Sequence, residues 1–389
     1  MQIPEKVLSQ FHELFPSREN LCLVRSPGRI NLIGEHTDYN EGFVLPAAID
    51  KAIFMAIAPR SDQQVTIASL DYQQEVIFSI ENLQKNDKPW SHYLMGVVEQ
   101  FQRAGKVISG FDCVFAGEIP LGAGLSSSAA LECATAFALN DICQLNFSKL
   151  ELVQLAQKAE NEFVGVKCGI MDQFASMFGK KNQVLRLDCR TLAYEYFPLS
   201  MEDFRIVLCD SGVKHSLADS AYNIRRQECE TGVAIIRQEY PQVFIQSLRD
   251  VNIQMLINCK PMMPEVVFKR CLYVLKETER LLQGTEDLKE KNLSAFGQKM
   301  FQTHEGLRDD YEVSCEELDI LVAISRNEPN VLGSRMMGGG FGGCTINLVK
   351  EKGVENFMQN IEKEYFSKTG ISPKIYTVTL ENGTEKLSF

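Results

Sequence analysis

The stretch Pro120-Leu-Gly-Ala-Gly-Leu-Ser-Ser-Ser-Ala-Ala-Leu-Glu132 constrains this chain more than any other. Small residues open a tight turn, three hydroxyls follow, and Ala129, Ala130, Leu131 and Glu132 then favour a helix. Glycines let backbone N–H groups converge on an anion with no Cβ in the way. A helix start adds unpaired donors and the positive end of its dipole. The run Gly122, Ala123, Gly124, Leu125, Ser126, Ser127, Ser128 therefore reads as a phosphate cradle or as a Gly/Ser turn capping the helix, and a ligand phosphate can share the cap. No Lys-Ser or Lys-Thr closes the glycines, so this is not a Walker A loop. Charge on a bound phosphate must be offset by another route.

At 389 residues the chain suits two domains. With 45% hydrophobic and 23% charged residues it has the composition of a soluble globular enzyme. A net charge of -11 with no basic stripe argues against a nucleic-acid partner. The apolar runs are too short for a membrane span, and Met-Gln-Ile-Pro-Glu lacks a basic region before an apolar core, so the expectation is a cytoplasmic protein with no membrane partner. The 12 cysteines are scattered singly with no C-x-x-C pair, which reads as free thiols in a reducing compartment rather than a zinc or iron–sulfur site.

Hydrophobic periodicity predicts a helix over 5–15 and a strand over 21–26 stopped by Pro27-Gly28. One long strand is expected within 44–58, and two more over 64–68 and 75–80. A helix over 91–105 and a strand over 110–116 lead to the phosphate loop. Helices over 127–139 and 150–163 and strands over 184–188 and 204–209 follow. The second half is richer in helices, at 217–235, 265–282 and 288–305, with strands at 344–349 and 375–380 around a helix at 353–366. The class is α+β in two domains, 1–200 and 201–389. The boundary falls within 180–205, and a C-terminal strand is free to return to either sheet.

Four further constellations stand out, one of them the stretch Glu160 to Gln173 that holds both Glu160 and Asp172. Ser26 to Phe43 interleaves glycines with Arg29, Asn31, Glu35, His36, Asp38 and Asn40, which is either a polar loop or a site for a polyhydroxylated ligand. Glu160 sits late in an amphipathic helix, on a solvated face or as a carboxylate anchor for a hard cation. Asp172 follows Gly169-Ile-Met and reads as an N-cap or as a carboxylate facing an attacking hydroxyl. In the tract from Asp210 to Arg226, Lys214, Arg225 and Arg226 suit surface charges, whereas Tyr222 suits a donor at a cleft. Finally, five glycines in the six positions 338–343 imply a second glycine-rich wall, because so many glycines carry a large entropy cost without a backbone need.

These motifs resemble the galactokinase family of the GHMP small-molecule kinases. Pro27 to Gly34, Leu121 to Ala130 and Met336 to Cys344 are similar to the three superfamily motifs, and Gly28 to Gly42 to the family's sugar signature. The likeness runs from about residue 20 to the end and includes the tract 214–226. It implies an N-terminal ribosomal-protein-S5-like domain, a C-terminal α+β domain, and an active site in the cleft between them. The implied reaction is transfer of a phosphoryl group from ATP to D-galactose with Mg²⁺, giving α-D-galactose 1-phosphate, the entry step of the Leloir pathway. By the same resemblance Glu35, His36, Thr37, Asp38, Gly169, Asp172 and Tyr222 would contact the sugar. Residues 122–128, with Ser69, would hold the nucleotide, and Ser128 and Glu160 would bind Mg²⁺. Asp172 would be the catalytic carboxylate, with Arg29 keeping it ionised and offsetting charge on the transferred group.

An N-acetylgalactosamine kinase differs only in room at the sugar 2-position, and a non-catalytic galactose- and ATP-binding regulator would lack Asp172, Arg29 or the Ser126–Ser128 run. All of these are present. A monomer is the simpler expectation, and a homo-oligomer stays open.

Overall fold

The computed structural model describes residues 2–120, 123–199, 201–214 and 218–389, with the backbone alone at 214 and 218–220. Three sheets organise them. The first has six strands, in spatial order Glu385–Leu387, Cys22–Asn31, Pro46–Pro59, Phe111–Gly117, Gln64–Ser69 and Gln74–Ser79. The second has four, Val331–Met336, Gly342–Lys350, Phe204–Lys214 and Lys374–Val378. A three-stranded sheet of Phe43–Val44, Gln183–Asp188 and Tyr194–Pro198 lies with the first half. The strand Pro46–Pro59 is apolar along nearly its whole length, as befits a strand buried on both faces: Ala47, Ile49, Ile53, Met55 and Ile57 join one cluster, and Ala52, Phe54, Ala56 and Ala58 another on the opposite side.

Cys22–Asn31 does not stop at Pro27-Gly28 as its sequence suggests. It runs through them with a register shift between Pro27 and Arg29 against the neighbouring strand. A bulge absorbs the proline, which has no N–H to give the ladder, and re-aims the residues after it. A Cβ on Gly28 would lie 2.7 Å from the Leu125 carbonyl, so the phosphate loop rests directly on the bulge. The long strand expected within 44–58 is Pro46–Pro59, and the short Phe43–Val44 just before it serves a different sheet. Tyr194–Pro198, the helices Ile253–Cys259 and Glu316–Arg326, and the strand Val331–Met336 are elements that the periodicity did not single out.

The helix Ser127–Ile142 follows the phosphate loop and is buried almost all round, which explains its run of Ala, Leu and Cys. The helix Lys149–Lys158, started by a Ser148–Glu151 capping box, continues into a π-helical turn, Ala159–Val164, that ends at Gly165 in the left-handed region. That turn carries Glu160 inward. The strand Glu385–Leu387 pairs with Cys22–Asn31, so the last described strand completes the first sheet. All twelve cysteines are free thiols, eight of them buried. Among the described residues no helix is long and apolar enough to cross a membrane.

Candidate active site

A cavity of about 650 Å³ is bounded by the phosphate loop, the sugar-signature loop, the segment around Asp172, the helix bearing Tyr222 and the glycines 338–343. The two glycine-rich walls meet: a Cβ on Gly338 would lie 3.7 Å from the Gly124 carbonyl. Gly340, at φ +89°, passes so close to Val313 that a Cβ there would come within 2.1 Å of its carbonyl oxygen. At that position any side chain would collide as well as strain the backbone.

Arg29 joins the parts. Its Nε donates to Asp172 Oδ1 at 2.8 Å and its Nη2 to Oδ2 at 2.7 Å, a bidentate pair, while Nη1 donates to the Gly124 carbonyl at 2.6 Å. Burial alone would lower the guanidinium's pKa, but the Asp172 and Glu35 charges more than reverse this and hold it above its ordinary value. Asp172 lies in the first turn of the helix Met171–Phe178, whose cap residue is Ile170. Its carboxylate therefore faces Arg29 instead of capping. Ser126 makes no capping bond either, and its Oγ donates to Asp172 Oδ2.

On the sugar-signature side, Glu35 is buried and its Oε1 accepts from Arg335 Nη2 at 3.0 Å and from the Gly338 N–H at 2.8 Å. The Arg335 guanidinium is completely buried and also donates to the carbonyls of Asn31, Leu32 and Met336. His36 adopts φ +62°, an uncommon conformation for a non-glycine residue. Its Nδ1 meets the Tyr39 hydroxyl at 2.8 Å, Tyr39 meets the Tyr311 hydroxyl at 2.8 Å, and its Nε2 is buried with no partner in the protein. Burial lowers the imidazole to about 4, against the pull of Glu35, so the ring is neutral. Asp38 is pushed up to about 7, first by burial and then by the Asp172 charge. Tyr222 stands over these groups, its ring 5.4 Å from that of His36.

On the phosphate side, Ser128 and Glu160 both line the cavity. Burial, then the Asp172 charge, raises the Glu160 pKa. Gln173 Nε2 donates to Glu160 Oε2 at 2.6 Å and to Glu132 Oε2 at 2.9 Å. Glu132 is fully buried, its pKa raised well above normal by burial and by Glu160, and its Oε1 has no partner.

Thus Arg29, Glu35, His36, Asp38, Gly124, Leu125, Ser126, Ser127, Ser128, Glu160, Gly169, Asp172 and Tyr222 converge on one cavity. Three of the expected residues stand outside it. The Thr37 hydroxyl lies within hydrogen-bond reach of the carbonyls of both Gly34 and Phe43, shares its one proton between them and holds the loop's own turn. Ser69 ends a strand, where its hydroxyl accepts from the Tyr72 N–H at 3.4 Å. Ala123 is packed into the core. Gly122 lies outside the described residues, as do positions 215–217 of the tract beginning at Lys214. Arg225 is structural, donating to the carbonyls of Tyr311 and Glu312. Arg335, Tyr39, Tyr311, Glu132 and Gln173 were not anticipated. The available signal for one of them was a charge inside an apolar run, Glu132 between Leu131 and Cys133.

Fold and site together are those of a GHMP small-molecule kinase: residues 92–180 match the GHMP kinases N terminal domain and 285–368 the GHMP kinases C terminal family. The Methanococcus jannaschii mevalonate kinase shares the fold, with a TM-score of 0.64 at 18% identity over 95% of this chain and all of that one. Residues 9–59 match the galactokinase galactose-binding signature. A galactokinase of Roseiflexus sp. (strain RS-1) is 43% identical over 94% of this chain and 93% of its own length. The crystal structure of Lactococcus lactis galactokinase complexed with galactose superposes with a TM-score of 0.92 at 37% identity, covering 97% and 98% of the two chains. The chain belongs to the galactokinase family.

Proposed function

We propose that the chain transfers the γ-phosphoryl group of ATP to the anomeric hydroxyl of D-galactose, giving α-D-galactose 1-phosphate and ADP. The observation that carries this reading is the Arg29–Asp172 pair, which stands where the phosphate loop and the sugar signature border the same cavity. Residues 1–200 supply the loop, Arg29, Glu160 and Asp172, and residues 201–389 close the cavity with Tyr222 and the glycine wall.

Glu35 and Asp38 accept from sugar hydroxyls, and the unpartnered Nε2 of His36 offers one more polar contact. Gly169 leaves room for Asp38, and Tyr222 covers the sugar. The N–H groups and hydroxyls of residues 124–128 receive the phosphates. Asp172 orients the anomeric hydroxyl and takes its proton late, as the oxygen bonds to phosphorus and ADP departs. In a loose transition state the nucleophile needs little earlier activation. Arg29 fixes the Asp172 rotamer and sets positive charge near the transferred group.

The residues present fit Mg²⁺. Among the described residues no cluster of three His, Cys, Asp or Glu is poised to hold a metal by itself. A buried carboxylate at Glu160 and a hydroxyl at Ser128 give the sparse oxygen set that Mg²⁺ completes with phosphates and water. When bound there, the ion neutralises phosphate charge in place of the lysine that the loop lacks. The protein acts as a monomer in this reading.

ADP release measured on addition of galactose, N-acetylgalactosamine, glucose and mevalonate in turn tests the assignment. Galactose should give the highest kcat/KM. Faster turnover of N-acetylgalactosamine would reassign the substrate, and no sugar-dependent release would overturn the reading altogether.

A further inference from the structure

Ser126 stands between two anionic claims on one proton. Its hydroxyl donates to Asp172 Oδ2, and the same residue lines the cavity beside Ser127 and Ser128. It holds φ +57° and ψ +53°, a left-handed conformation that an L-residue with a side chain keeps only where its surroundings enforce it. A carboxylate offers about four lone-pair sites. On Asp172, Arg29 Nε takes one on Oδ1, while Arg29 Nη2 and Ser126 take both on Oδ2. A hydroxyl has a single proton, so Ser126 cannot donate to Asp172 and to a phosphate oxygen at once.

We propose that Ser126 is a positioning residue that opens Asp172 to the sugar when nucleotide binds: the phosphate draws the Ser126 hydroxyl away, and the vacated site on Oδ2 accepts the anomeric hydroxyl. This rests on the reading of residues 124–128 as the phosphate loop and of Asp172 as the sugar's acceptor. Without nucleotide the hydroxyl fills the second site on Oδ2, and galactose binds through Glu35, His36 and Asp38 without that contact. With nucleotide it gains the Asp172 contact. The two substrates therefore bind with positive coupling, and by linkage each tightens the other by the same factor.

The test is calorimetric titration of galactose into the whole protein, with and without a saturating non-hydrolysable ATP analogue and Mg²⁺, in the wild type and in Ser126→Gly. Glycine adopts φ +57° without strain, so this variant removes the hydroxyl and spares the backbone. In the wild type the analogue should tighten galactose binding roughly fivefold or more. In Ser126→Gly the galactose Kd should be the same with and without analogue, and no weaker than that of the nucleotide-free wild type. Ser126→Ala provides the same comparison should the glycine variant unfold. A variant that keeps the wild-type gain, or a wild type that binds both ligands with no gain, overturns the proposal. A wild type that binds neither ligand overturns the proposed function itself.

Discussion

Gly169 sits where a single methyl group would act on one side chain. A Cβ built there would lie 1.8 Å from Asp38 Oδ2, 2.2 Å from its Cγ and 2.9 Å from its Cβ. Ordinary contacts between such atoms begin near 3.4 Å, so in Gly169→Ala the carboxylate must swing away by well over an ångström. The backbone of Gly169 is not in the left-handed region, so alanine adds this collision and little else. Moving Asp38 removes a hydrogen bond from a sugar hydroxyl to a charged acceptor, worth about 1.5–3 kcal/mol, or roughly a ten- to hundredfold loss of galactose affinity. Steady-state kinetics should show galactose KM rising by that factor with ATP KM nearly unchanged, and calorimetry should show the same loss in Kd. A galactose KM within twofold of wild type, in a variant of normal thermal stability, would refute the placement of Asp38 against the sugar.

Asp38, raised from 3.8 to about 7, also sets a pH dependence. The folded protein keeps a proton that the unfolded chain releases, so ionising Asp38 costs stability as pH climbs from about 4 to 7. Galactose binding needs the ionised acceptor, so galactose KM should fall from pH 6 to 8, and Asp38→Asn should flatten that step in a KM–pH profile. Arg29→Lys keeps the charge but loses the two-pronged grip on Asp172; kcat should fall about 10²- to 10³-fold with smaller changes in either KM. Arg335→Met leaves the buried Glu35 carboxylate without its ion-pair partner, and denaturant titration should show a loss of about 3–5 kcal/mol.

The site was legible where its residues cluster locally. Glu35, His36 and Asp38 fall within four positions, and Gly124 to Ser128 within five, because a loop wrapping a small ligand must place several polar groups in one short span. What escaped notice depends on pairs far apart in the chain. Arg335 and Glu35 are 300 positions apart, and Tyr311 reaches Tyr39 across 272. No periodicity encodes such pairs, and the immediate neighbours give no hint either: Tyr39 lies between Asp38 and Asn40, and Tyr311 between Asp310 and Glu312. Thr37 misled for the converse reason: it sits within the polar cluster, but its hydroxyl secures the turn that presents its neighbours. The strand through Pro27-Gly28 was misread because a bulge tolerates both residues, and this bulge carries Arg29 to the loop.

The pairing of Leu23 with Leu387 and of Arg25 with Glu385 has a consequence for how the molecule comes into being. The partners lie more than 350 residues apart, and Ser26 Oγ likewise meets Thr384 Oγ1 at 2.9 Å. As the chain leaves the ribosome, the strand bearing Arg29 must wait with one edge open until almost everything described here has been made. Contacts so distant in sequence are slow to form, and an open edge invites pairing with other chains. The first sheet is therefore completed along residues 23–25 only by residues synthesised near the end, whereas Arg29 is held by Asp172 and Gly124, which lie within the first half.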